Sequence, residues 1–219
     1  TLFDVKQVEV LRGPQGTLHG ANALAGLINI RTNDPSDAPY NRLEASAGDY
    51  DTWSLGFVSS GPISDAVGYR FALQQFSSDG YTQNNFLNRD DTQEKDELTL
   101  RGKLRWDMSE RHQLDLTATY VDVANGYDAF SLDNVRDTLT DQPGHDEQKS
   151  AAIAGKLSSG FDRVTSEIIV TAARTETDYG YDEDWVYDGF HIYGYNWFDR
   201  YQRERDSYSA QLRLLSNES

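Results

Sequence analysis

Leu98-Thr99-Leu100-Arg101-Gly102-Lys103-Leu104-Arg105-Trp106 changes character at every step. Leu98, Leu100, Gly102, Leu104 and Trp106 fall on one side of an extended chain, and Thr99, Arg101, Lys103 and Arg105 on the other. Successive side chains of a strand point to opposite faces, so this period of two predicts a strand with one apolar and one polar face. A single strand of this kind also suits a soluble sheet over a core. Its repetition along the chain separates the two cases.

Working outward, the same split gives Leu43/Ala45/Ala47 against Arg42/Glu44/Ser46, Trp53/Leu55/Phe57 against Ser54/Gly56, and Val67/Tyr69/Phe71/Leu73 against Arg70/Gln74. Beyond it come Leu114/Leu116/Ala118/Tyr120 against Asp115/Thr117/Thr119, and Ala151/Ile153/Gly155/Leu157 against Lys156/Ser158. Val164/Ile168/Val170 against Thr165/Glu167/Thr171, and Tyr208/Ala210/Leu212/Leu214 against Ser209/Gln211/Arg213, complete eight strands. The links between them follow a rule. Gly61 to Asp65, Asp107 to Arg111 and Gly160 to Asp162 are tight, whereas residues 79–95, 125–146 and 179–202 are long and polar; only Asp49 to Asp51 is short on the long side. An antiparallel meander with short turns at one end, long loops at the other and charges on its inner face has the layout of an outer-membrane β-barrel. The expected fold is therefore an all-β membrane barrel wall of about eight antiparallel strands, open at edges around Leu43 and Tyr208.

Composition agrees. Mean hydropathy is -0.69, and no stretch approaches the roughly 18 to 20 apolar residues of a spanning helix. Lys and Arg number 20 against 36 Asp and Glu, a net charge of -16 that repels a phosphate backbone and argues against nucleic acid as a partner. Aromatics at 12% argue for a folded chain, and zero Cys removes disulfides, thiolate metal sites and Cys nucleophiles. The start at Thr1-Leu2-Phe3 and the stop at Asn217-Glu218-Ser219 lead us to expect a piece of a longer chain.

Residues 1–33 differ from the rest: Lys6, Arg12 and Arg31 against Asp4 and Glu9 give +1. Val8 to Arg12 and Gly26 to Arg31 read as short paired strands, joined by a connection rich in Gly and small residues. Gly13, Gly16 and Gly20 lack the spacing of a phosphate loop, so their reading is steric.

The run Val8-Glu9-Val10-Leu11-Arg12-Gly13-Pro14-Gln15-Gly16-Thr17-Leu18-His19-Gly20, followed by Ala25-Gly26-Leu27-Ile28-Asn29-Ile30, resembles the end of the plug domain of TonB-dependent outer-membrane receptors. His19 stands where the family usually carries an aromatic. The resemblance implies that residues 1–35 are the C-terminal part of an α/β plug and 40–219 the first part of a barrel of about 22 strands, a size that holds a plugged lumen. It further implies residence in the outer membrane, contact with its lipid, and energy supply by TonB with ExbB and ExbD through a plug region not in this chain. The implied activity is uptake of a scarce ligand, foremost a ferric siderophore, with cobalamin, haem and carbohydrate as alternatives. Ser60-Gly61-Pro62-Ile63, as the first periplasmic turn, is similar to receptors of the pesticin/yersiniabactin type.

The plug residues Arg12, Gly13, Pro14, Gly16, Gly20, Gly26 and Asn29 are expected to be structural, with Arg12 pairing with a lumen carboxylate such as Glu44 or Glu167. Tyr181 to Tyr201 holds nine of the 26 aromatics. Tyr and Trp offer stiff contact surfaces with a polar handle, which makes Trp185, Tyr187, Phe190, Tyr193 and Tyr195 candidate ligand contacts, while Tyr179, Trp197 and Tyr201 read as membrane-interface aromatics. Asp182-Glu183-Asp184, Asp90-Asp91 and Glu94 with Asp96-Glu97 lack EF-hand spacing and read as solvated loop surface. No metal or cofactor is expected. An enzyme is not expected either: Glu167 with Asp115 is a carboxylate pair without a supporting motif, although a small outer-membrane barrel enzyme, or a passive porin-like barrel, stands as an alternative.

Overall fold

The computed structural model describes residues 2–14, 16 and 25–217. Two strands open the chain, β1 (Val5–Arg12) and β2 (Gly26–Thr32), paired antiparallel from Val8↔Ile30 to Arg12↔Gly26. Both ends of their connection are places where a side chain would not fit the backbone. Gly13 has φ +84°, and a Cβ on Gly26 would lie 2.7 Å from the Leu11 carbonyl oxygen. That geometry supports a steric role at Gly13 and Gly26, whereas an added Cβ on Gly16 would meet nothing within 4 Å. Gly20 lies outside the described residues.

The remaining chain builds one eight-stranded antiparallel sheet from β3 (Tyr40–Ala47), β4 (Trp53–Ser64), β5 (Val67–Ser78), β7 (Lys95–Ser109), β8 (His112–Tyr127), β10 (Gly144–Gly160), β11 (Val164–Asp182) and β12 (Phe198–Ser216). The spatial order β12-β11-β10-β8-β7-β5-β4-β3 is a meander with free edges at β3 and β12, as the alternation predicted. Two short segments, β6 (Gln83–Asn84) and β9 (Asp137–Thr138), pair parallel between two of the long loops.

Register converts the sequence pattern into surfaces. Leu43 lies opposite Phe57, Phe57 opposite Leu73, Leu73 opposite Leu100, Leu100 opposite Tyr120 and Tyr120 opposite Ala151. Ile153, Ala172 and Tyr208 continue the row one step lower. These side chains form an unbroken apolar belt on one face, and its members stay open to the surroundings, with Leu43 71% and Ile153 57% exposed. The opposite, inner face carries the β1–β2 pair, and the small core of the molecule, Phe3 with Val58 and Ala72, sits between them.

The strands outlast the belt. β3 has 8 residues, while β11 and β12 have 19 each. On β11 the outer face is Ile168, Val170 and Ala172, then Arg174, Glu176 and Asp178. The loop expected over 179–202 is therefore shorter than the sequence suggested, because β11 runs to Asp182 and β12 starts at Phe198. Polar outer residues hid this extension from a pattern search tuned to apolar alternation.

Candidate functional site

Two places on the inner face combine burial with chemistry. The first is where the β1–β2 pair is held. Phe3 is a knob against β4: a Cβ on Gly56 would lie 2.6 Å from the Phe3 ring, and the Arg42 guanidinium stands 5.2 Å from that ring's centre. Asp4, buried and with φ +55°, receives Arg70 Nε at 2.7 Å and Arg70 Nη2 at 2.5 Å, a two-pronged pair of the kind that favours Arg over Lys. Asn33 Nδ2 donates to the same carboxylate at 3.0 Å, and Arg101 Nη1 donates to the Phe3 carbonyl at 3.2 Å. At the exit of β2, Lys103 Nζ donates to the Thr32 carbonyl at 3.1 Å and to Asp34 at 3.3 Å, while Lys6 reaches Asp34 at 3.4 Å. The entry and the exit of the pair are thus pinned by two carboxylates on barrel-wall cations.

That is the reverse of the expected polarity. Arg12 is exposed and lies opposite Gly26. The carboxylates proposed for it are taken by strand neighbours: Glu44 by Arg42 at 3.1 Å, Glu167 by Lys156 at 3.5 Å. The expected Arg12 pairing is corrected accordingly. Asn29 does have a partner, donating to Glu9 directly across the ladder at 2.8 Å.

The second place is the long-loop end. Asp128 is buried and accepts from Asn84 Nδ2, Thr92 Oγ1, Thr138 Oγ1 and Thr140 Oγ1 at 2.7–3.0 Å, tying residues 79–94 to residues 128–143. The third loop, residues 183–197, locks onto both. Tyr187 stacks on Phe86 with ring centres 4.5 Å apart, Trp185 stacks on Phe130 at 5.0 Å, and the Asp188 amide donates to Asp141 at 2.7 Å. Below them Tyr127, Phe130, Tyr179, Tyr181, Trp185 and Tyr201 form a continuous aromatic cluster, Tyr127 meeting Tyr179 at 5.0 Å and Tyr179 meeting Tyr201 at 6.5 Å. Burial, then the neighbouring Tyr127, raises the Tyr179 phenol above its usual range. Arg200, His145 and Gln202 hold the Asp178 carboxyl well below its own. Asp182 behaves oppositely: burial, then the adjacent Asp184 and Asp141 charges, push it up to about 6.

Of the five candidate ligand contacts, Trp185 and Tyr187 are spent on joining loops, and Phe190 packs edge-on to Tyr187 at 5.5 Å. Tyr195 lies edge-on to His191, and Tyr193, 91% exposed, projects into solvent. The sequence reading missed Tyr127 and Phe130, which sit some 50 residues from the aromatic-rich stretch and meet it only through strand pairing.

No family model matches the chain. Curated relatives do: it is 26% identical over 175 residues to the vitamin B12 transporter BtuB of Vibrio vulnificus, covering 80% of this chain and 27% of that protein. It is 46% identical over 68 residues to the pesticin receptor of Yersinia pestis, 31% of this chain and 10% of that one. Among solved structures, the ferric yersiniabactin uptake receptor of Yersinia pestis superposes with a TM-score of 0.77 at 21% identity, over 99% of this chain and 34% of its own. The siderophore receptor PiuA of Acinetobacter baumannii gives 0.79 at 15% identity, over 100% and 33%. These relatives and structural neighbours are TonB-dependent outer-membrane receptors, and the chain has the fold of a part of such a receptor. It spans about a quarter to a third of the length of relatives matched over most of it.

With the receptor fold and its place in the outer membrane established, the belt is the lipid face and the long loops are extracellular. Tyr179 and Tyr201 must then be reassigned. Both share the parity of Glu167 and Arg213, which is the inner face, and both lie opposite each other at a single rung. Tyr179 is seven residues beyond Ala172, roughly 23 Å along a strand that rises about 3.3 Å per residue. Trp197 is farther out still; its indole donates to Asp199 at 2.9 Å and its amide to Asp184 at 2.8 Å. On the outer face at the upper border of the belt the aromatics are Trp53, Tyr120 and Tyr208, with Trp106 at the lower border.

Proposed function

We propose that this receptor chain forms the plug-bearing part of the wall of a transporter for a ferric siderophore, with residues 1–35 as plug and 40–219 as barrel. The observation that carries the reading is the inner-face aromatic cluster around Tyr179, held beneath three interlocked loops and above a seated plug segment. A ligand that passes the loops meets stiff rings with phenol groups before it reaches the plug, which suits a flat or chelating small molecule more than a macromolecule. The likeness to the ferric yersiniabactin uptake receptor supports iron cargo. TonB, with ExbB and ExbD, supplies the energy in this reading, and the chain acts as a receptor rather than an enzyme.

The match to a vitamin B12 transporter over 80% of the chain favours cobalamin as the second reading. One experiment separates them. Iron-starved cells carrying the full-length receptor are given radiolabelled ferric yersiniabactin or cyanocobalamin, with and without TonB. TonB-dependent accumulation of the iron complex supports the first reading, accumulation of cobalamin alone the second, and binding without TonB-dependent entry of either removes both.

A further inference from the structure

The plug segment sits on a cationic ladder. On the inner face of β3, β5 and β7, the strands that hold the segment, Arg42, Arg70, Arg101, Lys103 and Arg105 stand on adjacent rungs, in a chain whose net charge is -16. Glu44 is the carboxylate among them and is engaged by Arg42. Glu97 stands higher, against Asn125, and Asp107 lies at the periplasmic turn, accepting from Gln113. The plug supplies two more carboxylates: Asp4 on Arg70, with Arg42 at 4.0 Å, and Asp34 on Lys103, with Arg105 at 4.0 Å. Asp115 on β8 takes Arg105 from the other side at 2.8 Å.

Beside Asp34 the wall opens into a cavity of about 280 Å³, lined in part by Arg31, Asp34, Lys103, Arg105, Asp115 and Lys156. Its charged lining has four cations and two carboxylates; Arg31 and Asp34 belong to the plug, which leaves three cations and Asp115 on the wall. The plug segment covers Arg70 and Lys103, so withdrawing Asp4 and Asp34 uncovers a cationic surface that attracts another anion.

We propose that this ladder is an anion-binding track, that Asp4 and Asp34 are its resident occupants, and that a carboxylate-bearing ligand takes their place as the plug moves. The plug carboxylates offset part of the positive charge of the track at rest. Exchange of one anion for another keeps Arg70 and Lys103 paired, which lowers the cost of moving the plug while a ligand passes. The proposal adds ligand charge to the uptake reading and rests on it only for the identity of the passing molecule.

The test uses purified full-length receptor and citrate, a small polycarboxylate, in isothermal titration at matched ionic strength. Asp34 is the plug carboxylate to remove, because it is the more exposed and Asp4 keeps its own seat. The D34N receptor is expected to bind citrate about tenfold more tightly than the parent, and K103Q/R105Q placed on D34N is expected to abolish the gain. Charge-retaining K103R on D34N should keep it, which distinguishes loss of the track from loss of fold. Equal citrate affinity in parent and D34N, or a gain that survives K103Q/R105Q, overturns the proposal. Citrate binding is independent of the uptake assay, so a receptor that imports no iron complex yet shows this pattern keeps the track and loses the uptake reading.

Discussion

At Asp4 one residue performs two incompatible-looking tasks. Its backbone sits at φ +55°, in the left-handed region that Asp enters more readily than most residues, and its carboxylate is buried. Both are held by the same neighbours, Arg70 through the side chain and Asn33 through side chain and backbone. Removing one partner of such a pair leaves a bare charge, so Arg70→Ala is expected to destabilise seating of the plug by about 3–5 kcal/mol, more than Asp4→Ala/Arg70→Ala together. Hydrogen exchange at Gln7 to Leu11 in the full-length receptor reads this, and equal protection in single and double variants would refute the coupling. Glycine gives a second, steric check. Gly56→Ala drives a methyl into the Phe3 ring and should loosen the same amides by about 1–3 kcal/mol, whereas Gly102→Ala, with nothing within 4 Å on the lipid side, should leave them unchanged. None of this was legible in the sequence. Asp4 and Arg70 are 66 positions apart, and neither a charge pattern nor a period links them; Arg12, in the family-like motif, drew attention to the wrong charge.

Among elements, the strands were legible and their ends were not. Period two located all eight sheet strands and both free edges, because each keeps apolar residues on a single parity for the height of the membrane. Above that height β11 continues with Arg174, Glu176 and Asp178 facing out, paired to β12 opposite Asp206, Glu204 and Gln202. Counting parity onward from Ile168 would have placed Tyr179 on the inner face; reading hydrophobicity alone put it in the girdle. The loops were legible only as long and polar, since their union depends on contacts such as Asn84 with Asp128 that cross 44 positions. That union has a pH dependence. The Asp182 carboxyl, pushed up to about 6, binds a proton in the folded loops at pH values where an unfolded carboxyl does not. The contribution of Asp182 to the folded loops is therefore complete below about pH 4, and up to about 2 kcal/mol of it is lost as pH rises through 6. Exchange of the amides of residues 183–197, corrected for intrinsic rates, should show less protection at pH 7.5 than at pH 5, and Asp182→Asn should flatten the difference. Unaltered pH dependence in that variant would place the titrating group elsewhere.

For the whole molecule, the decisive quantity is which surface faces lipid. Along most strands the outer parity is apolar for a limited height and then turns polar or charged, while the inner parity is mostly polar apart from the residues packed on Phe3 and the aromatic cluster, so a single substitution should cost different amounts according to face and height. An Arg on the lipid face of a transmembrane barrel costs about 2–4 kcal/mol at the midplane and about 0–1 near the border. Ile153 lies on the outer face between Ala118 and Ala172, within the belt. Ala124 is on the same face beyond Tyr120, opposite Glu147 on β10. Thr117 is on the inner face, opposite Lys103 and Ala154. Folding of the full-length receptor into lipid vesicles, followed against urea, should rank Ile153→Arg as the costly change and Ala124→Arg as nearly neutral, because the latter gains an acidic partner outside the membrane. Thr117→Arg should fall between them, because it meets repulsion by Lys103 on the inner face rather than burial in hydrocarbon. A result in which Thr117→Arg is worst and Ile153→Arg is harmless would invert the two faces, and with them the position of the plug, the ladder and the aromatic cluster.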